Sequence, residues 1–167
     1  MRLQDKVAVI TGGSRGIGYA TADKFLKGGA APTTAARPQP PPPRATARPQ
    51  EKYPQATVAG ISPELASLAS VQEAFRSVVE TYGHIDILVN NAGISESTPF
   101  PEYTELLFDK VMDLNVKGVF NATRAVVEHM AERGRGVILS ASSMVSISGQ
   151  PSGVAYPASK FAVNGLT

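Results

Sequence analysis

Cysteine is missing from all 167 residues, which excludes disulfides and thiolate metal ligation. Histidine is almost as scarce. His84 and His129 lie far apart with no His or Cys companion at ligand spacing, so both are expected at the surface or in the core, and no metal is expected. Long apolar runs are absent too. None approaches the ~18 residues of a membrane span, and Met1-Arg2-Leu3-Gln4-Asp5-Lys6 lacks the apolar region of a secretion signal. These absences predict a cytoplasmic location and no membrane partner.

Acid is missing from residues 24–50, where Lys24, Lys27, Arg37, Arg44 and Arg48 make a +5 stretch, leaving 11 basic and 14 acidic residues elsewhere. The pI of 9.0 therefore reflects one segment and gives no footprint for nucleic acid. From Ala30 to Gln50 there is no Val, Ile, Leu, Met or Phe, and seven of twenty-one residues are proline. Nothing in such a segment is expected to be buried. It predicts an extended, solvated loop with Pro40-Pro41-Pro42-Pro43 in polyproline II form, in place of a strand beside the first one. Two origins fit it, a disordered proline-rich insert and translation in a shifted frame. Regular patterning resumes beyond it.

What is present is one domain's worth of alternating strands and helices, with 43% hydrophobic residues. Lys6 to Thr11 is a short apolar run of the kind buried on both faces of a parallel sheet, and it opens into a helix lasting to about Lys27. Further strands are predicted over Ala56–Ile61, Ile85–Val89 and Gly136–Ser140. Helices are predicted over Ser67–Tyr82, about Tyr103–Arg133, and from near Ala155 to the end. Leu68, Val71, Phe75, Val78 and Val79 form the inward stripe of the first of these, which Gly83 closes. This order implies an α/β fold of Rossmann type, a doubly wound parallel sheet with helices on both faces.

Thr11-Gly12-Gly13-Ser14-Arg15-Gly16-Ile17-Gly18 joins the first strand to the first helix. Gly12 and Gly13 permit a tight turn, Gly16 lets backbone approach a pyrophosphate, and Gly18 lets the helix pack closely; the helix N-terminus then offers free N–H groups to an anion. The spacing is Gly-x-x-x-Gly-x-Gly, which departs from the common Gly-x-Gly-x-x-Gly. Alone, the loop also fits a plain strand-to-helix turn. Far downstream stand Ser143 and Tyr156-Pro157-Ala158-Ser159-Lys160, a candidate proton-transfer centre.

Thr11 to Gly18, Asn90-Asn91-Ala92-Gly93, Ser143 and Tyr156-x-x-x-Lys160, in that order, resemble the motif set of the short-chain dehydrogenase/reductases. Asn115 matches that family's helix asparagine. The resemblance covers residues 1–29 and about 56–167, and its look is nearest to the 3-oxoacyl-thioester reductases. It implies an oxidoreductase moving a hydride between NADP(H) and a ketone or secondary alcohol, a 3-oxoacyl thioester or similar carbonyl. Ser143, Tyr156, Lys160 and Asn115 are the implied catalytic residues. A tyrosine titrates near ~10, and an ammonium one turn along the same helix face favours its phenolate, which suits Tyr156 to general acid–base work. By resemblance Ser143 polarises the substrate oxygen, Lys160 also bonds the nicotinamide ribose, and Asn115 anchors a water. The implied nucleotide contacts are Gly12, Ser14, Arg15, Gly16, Ile17 and Gly18 of the loop. Asn90, Ala92, Gly93, Tyr156 and Lys160 join them.

Arg37 falls where the second strand should end, the place at which an acid selects NAD and an arginine accepts the 2′-phosphate of NADP. With Arg15 nearby and no acid competing, NADP is the expected cofactor and NAD the alternative. Family members continue beyond Thr167, so the C-terminal strands, part of the substrate pocket and part of an oligomer interface are expected to be lacking. A family-type homo-oligomer is the expected assembly. Two other readings stand beside the enzyme: an inactive fragment that at most binds nucleotide, and an interaction protein presenting Pro40 to Pro43 to aromatic grooves.

Overall fold

The computed structural model describes residues 2–35 and 59–167. Five strands, β1 (Val7–Thr11), β2 (Ala31–Ala35), β3 (Ala59–Ile61), β4 (Ile87–Asn90) and β5 (Val137–Ser140), form one sheet in the order β3-β2-β1-β4-β5. Every pairing is parallel. The helices are α1 (Gly16–Lys27), α2 (Leu68–Tyr82), α3 (Glu105–Met112), α4 (Gly118–Glu132) and α5 (Ala155–Leu166).

β1 is buried at every position, so its continuous apolar run has a partner on both sides. Val7 and Val9 face a core filled by Val71, Phe75 and Val78 of α2 and Ala122, Val126 and Met130 of α4. Ala8 and Ile10, offset by one residue, face Ala22 and Phe25 of α1 together with Ile87 and Val89 of β4. The period of two along the strand thus divides the helices between the faces, the doubly wound arrangement that the alternation predicts.

The expectation for Ala30 onward is corrected at its start. Ala30 is buried, and Ala31–Ala35 is a full strand in register with β1, from Val7 opposite Ala31 to Thr11 opposite Ala35. The Ala31 N–H donates to the Lys6 carbonyl on the β1 side, so the next residue, Pro32, turns its nitrogen to the other side. Pairing with β3 begins only at Thr33 opposite Ala59. Proline's missing donor is therefore not needed, and a parallel ladder made by backbone forms without an apolar sequence. The polyproline run and Arg37 lie outside the described residues.

The single helix expected over Tyr103–Arg133 is present without a break in its helical backbone from Glu105 to Glu132, with one departure from regular α geometry inside it. A 3-10 turn (Phe100–Glu102) precedes α3, and a π-helical turn (Asp113–Lys117) separates α3 from α4. That turn places Asn115 inside the protein, 1% exposed. Ser67 caps α2 by accepting the Ser70 N–H, and Gly83 ends it at φ 81°, as the sequence signals. β5 is an outer strand, with Val137 and Leu139 half exposed on one face. Among the described residues no helix is long and apolar enough to cross a membrane, and no group of three or more His, Asp or Glu is placed to hold a metal.

Candidate active site

β1 and β4 are neighbours, yet the chain leaves β1 toward β2 on one side and returns through β4 on the other. Their carboxyl ends therefore flank the crevice at which open α/β sheets bind ligands. Side chains from both ends hold the crevice walls together. The buried Thr11 hydroxyl accepts the N–H groups of Asn91 and Ala92, each at 3.0 Å. In return, the Asn91 amide donates to the carbonyls of Thr11 at 3.0 Å and Gly12 at 3.3 Å. Neither side chain was singled out from sequence, although both lie within the quoted motifs.

The glycines of the loop differ in what surrounds them, along the lines the sequence reading expects. At Gly12, φ is 68° and a β-carbon would come within 2.9 Å of the Ala92 Cα. Gly18 packs against the loop itself, since a β-carbon there would overlap the Gly12 carbonyl and the Asn91 amide. Gly16, at φ 57°, has nothing within 4 Å of that position and faces open space. Serine and threonine cap α2 and α3, but α1 begins at an extended, exposed Arg15 with no side-chain cap. A glycine open to solvent beside an uncapped twelve-residue helix fits the pyrophosphate of a dinucleotide. Ile17 projects beside it, 77% exposed.

Across the crevice, Lys160 is buried on α5 and donates to the Ala141 carbonyl just past β5 at 2.6 Å. Its ammonium sits 5.7 Å from the centroid of the Tyr156 ring. Burial pushes that ammonium below the ordinary lysine value, so cationic Lys160 is a strained neighbour that gains from any nearby negative charge. Ser143 caps the 3-10 turn Met144–Ser146 by accepting the Val145 N–H at 3.4 Å. Its hydroxyl proton has no acceptor among the described residues. By contrast, the Ser142 hydroxyl donates to Asn164 and that of Ser146 to the Ser143 carbonyl. The Ser143 hydroxyl thus keeps a free proton, unlike those of Ser142 and Ser146.

Asn115 ties the two halves of the site. Its amide donates to the Ile94 carbonyl at 2.9 Å and the Ser159 hydroxyl at 3.0 Å, and its oxygen accepts the Ile94 N–H at 2.9 Å. Both amide hydrogens are thus committed to structure. Ser159, not singled out from sequence, donates its hydroxyl to the Tyr156 carbonyl at 2.7 Å.

The family model for short chain dehydrogenases matches residues 6–167. A 3alpha-hydroxysteroid dehydrogenase of Mediterraneibacter gnavus is 52% identical over all of this chain and 67% of its own length. This chain is a short-chain dehydrogenase. A 3-oxoacyl-(acyl-carrier-protein) reductase of Thermotoga maritima is 36% identical, again over the whole chain and 67% of the relative. The crystal structure of levodione reductase superposes with a TM-score of 0.92 at 33% identity, covering 99% of this chain and 65% of that one. The dehydrogenase chain therefore spans about two thirds of the length of the relatives it matches.

Of the residues predicted to meet the cofactor, Gly12, Ser14, Arg15, Gly16, Ile17 and Gly18 lie together at the start of α1, and Ala92, just past β4, lies against Gly12. Asn90 does not line the crevice with its side chain. Its amide donates to Thr123 of α4 at 3.1 Å and its carbonyl accepts the Ala141 N–H at 2.8 Å, so it knits β4 to α4 and β5. A β-carbon at Gly93 would approach the Asn115 oxygen at 3.2 Å, which ties this glycine to Asn115. Gly18→Ala should force the loop apart, costing about 1–3 kcal/mol of stability and most of the melting shift produced by a nicotinamide dinucleotide. Thermal unfolding with and without nucleotide measures both, and an unchanged shift would contradict this placement.

Proposed function

We propose that the dehydrogenase moves a hydride between NADP(H) and a secondary alcohol or ketone carried on an apolar, steroid-like body. The observation that carries the chemistry is Lys160 held beside the Tyr156 ring on one helix, with the free hydroxyl proton of Ser143 on the adjoining turn. A nicotinamide nucleotide at the mouth of α1 supplies the hydride in the reductive direction. Ser143 donates a hydrogen bond to the carbonyl oxygen, Tyr156 delivers the proton that completes the hydroxyl, and Lys160 stabilises the phenolate left behind. In the oxidative direction Tyr156 takes that proton back. Asn115 holds the loop and α5 in register for this exchange, and a water on its remaining lone pair or carbonyl is the proposed proton supply.

NADP is favoured over NAD by the exposed Arg15 at the start of α1, by the absence of acid in that first turn, and by the lack of any Asp or Glu from 24 to 50. Arg37 remains the proposed second cation for the 2′-phosphate. The steroid reading rests on the Mediterraneibacter gnavus relative and on Met144 and Ile147, one and four residues after Ser143, which stand 84% and 80% exposed. A 3-oxoacyl thioester is the second reading, favoured by the Thermotoga maritima relative. Half-exposed Phe120, Val127, Phe161 and Leu166 on α4 and α5 support a family-type homo-oligomer.

Purified protein should oxidise NADPH in the presence of a 3-ketosteroid, faster than NADH and faster than with a 3-oxoacyl thioester. Nucleotide at 100 times its Kd should stabilise the fold by about 2.7 kcal/mol. Stabilisation without turnover on either substrate would identify a nucleotide-binding protein with no reductase activity.

A further inference from the structure

The loop leaving β4 is fastened to α5 at two places, on either side of Tyr156. Asn115 makes the inner fastening, through Ile94 and Ser159. The outer one uses groups that the chemistry above leaves idle. Tyr103 donates its hydroxyl to Glu96 at 2.6 Å, and the other carboxylate oxygen accepts the Thr98 N–H at 3.1 Å. The Thr98 carbonyl accepts the Gly153 N–H at 2.9 Å, and the Gly153 carbonyl accepts the Gln150 amide at 3.0 Å. Gly153 has φ 76° and lies so close to the Glu96 carbonyl that a β-carbon would overlap it. Two residues later α5 begins, and Tyr156 is its second residue.

We propose that Glu96 and Tyr103 are positioning residues that set the start of α5, and with it the Tyr156 phenol, against the crevice; this rests on the reading of Tyr156 as proton donor. One carboxylate serves both a phenol from the turn before α3 and the backbone of its own loop, so the loop cannot slide relative to α3. The Thr98 to Gly153 bond passes that fixed position to the segment entering α5. Burial, and then the bond to Glu96, push the Tyr103 phenol up to about 12, so it stays a protonated donor at any working pH. The fit at Gly153 explains why a residue without a β-carbon stands there. A rotation of the helix entry by one residue's worth of slack would move a phenol out of proton-transfer distance.

Amide hydrogen exchange read by mass spectrometry, alongside steady-state kinetics, tests this on Tyr103→Phe, Glu96→Ala and Glu96→Gln. Tyr103→Phe should speed exchange across 153–156 about ten-fold, leave β1 and α1 amides unchanged, and lower kcat about ten-fold with nucleotide KM unaltered. Glu96→Ala should do the same, and Glu96→Gln, which keeps one acceptor, should fall between it and the wild type. Unchanged exchange over 153–156, or faster exchange throughout β1 and α1 as well, would overturn the proposal. If wild-type protein reduces no carbonyl, the reading of Tyr156 fails by itself, and exchange still decides whether the pair holds the helix entry.

Discussion

Tyr156→Phe should lower carbonyl reduction by about 10³-fold while nucleotide affinity stays within about two-fold, the signature expected of a lost proton donor. The ring survives the substitution, so the packing that keeps Lys160 5.7 Å from its centroid survives too. Only the hydroxyl is removed. Lys160→Met is a less clean test, because the ammonium also bonds the Ala141 carbonyl at 2.6 Å and anchors α5 to the end of β5. That variant should lose turnover and thermal stability together. Stopped-flow or steady-state oxidation of the reduced nicotinamide nucleotide, paired with nucleotide fluorescence titration, separates the two cases. A Tyr156→Phe protein keeping more than about a tenth of the wild-type rate would remove the phenol from the proton transfer.

Much of the architecture is legible in the chain because its strong signals are local. The apolar run ending at Thr11, the serine before α2 and the left-handed glycine after it each act within a few residues. The parallel sheet follows from their alternation. β2 is illegible for the opposite reason: Ala-Pro-Thr-Thr-Ala carries no pattern of its own and becomes a strand because β1 and β3 offer backbone partners on both sides. The π-helical turn is invisible to a 3.6-residue period, since one extra residue per turn leaves the apolar stripe on either side intact. Its effect is nevertheless specific, placing Asn115 where it clasps Ile94 and Ser159.

The site divides along the same line. Glycines, Tyr156 and Lys160 announce themselves by spacing within one turn or one loop. Thr11 and Asn91 act across 80 residues, and Asn115 and Ser159 across 44, so their roles exist only once the sheet brings the strand ends together. The amide of Asn90 has a partner that sequence does not show for a related reason. Its motif position suggests the crevice, but as the last residue of β4 it points its amide into the helix layer.

Asp86→Ala should cost about 3 kcal/mol and lower the melting temperature by roughly 6–12 °C, although the residue stands at the sheet end away from the crevice. The buried carboxylate accepts the Val7 N–H at 3.0 Å and pairs with His84 at 2.9 Å and Arg133 at 3.3 Å, joining β1, the entry to β4 and the end of α4. Removing it leaves a buried N–H and a partly buried guanidinium without their acceptor. Burial alone would raise this carboxyl, but the Val7 N–H, then His84, Lys6 and Arg133, outweigh it and hold the group below its ordinary value. A carboxyl lower in the folded state than in the unfolded one adds stability that is complete above the unfolded value near ~3.9. That contribution disappears as the pH falls through the folded value. Melting curves of wild type and Asp86→Asn from pH 7 to pH 3 should therefore run apart above about pH 5 and converge toward the acid end. Because every other carboxylate is common to both proteins, the difference between the curves isolates Asp86. Parallel curves down to pH 3 would show that its charge adds nothing to the joint.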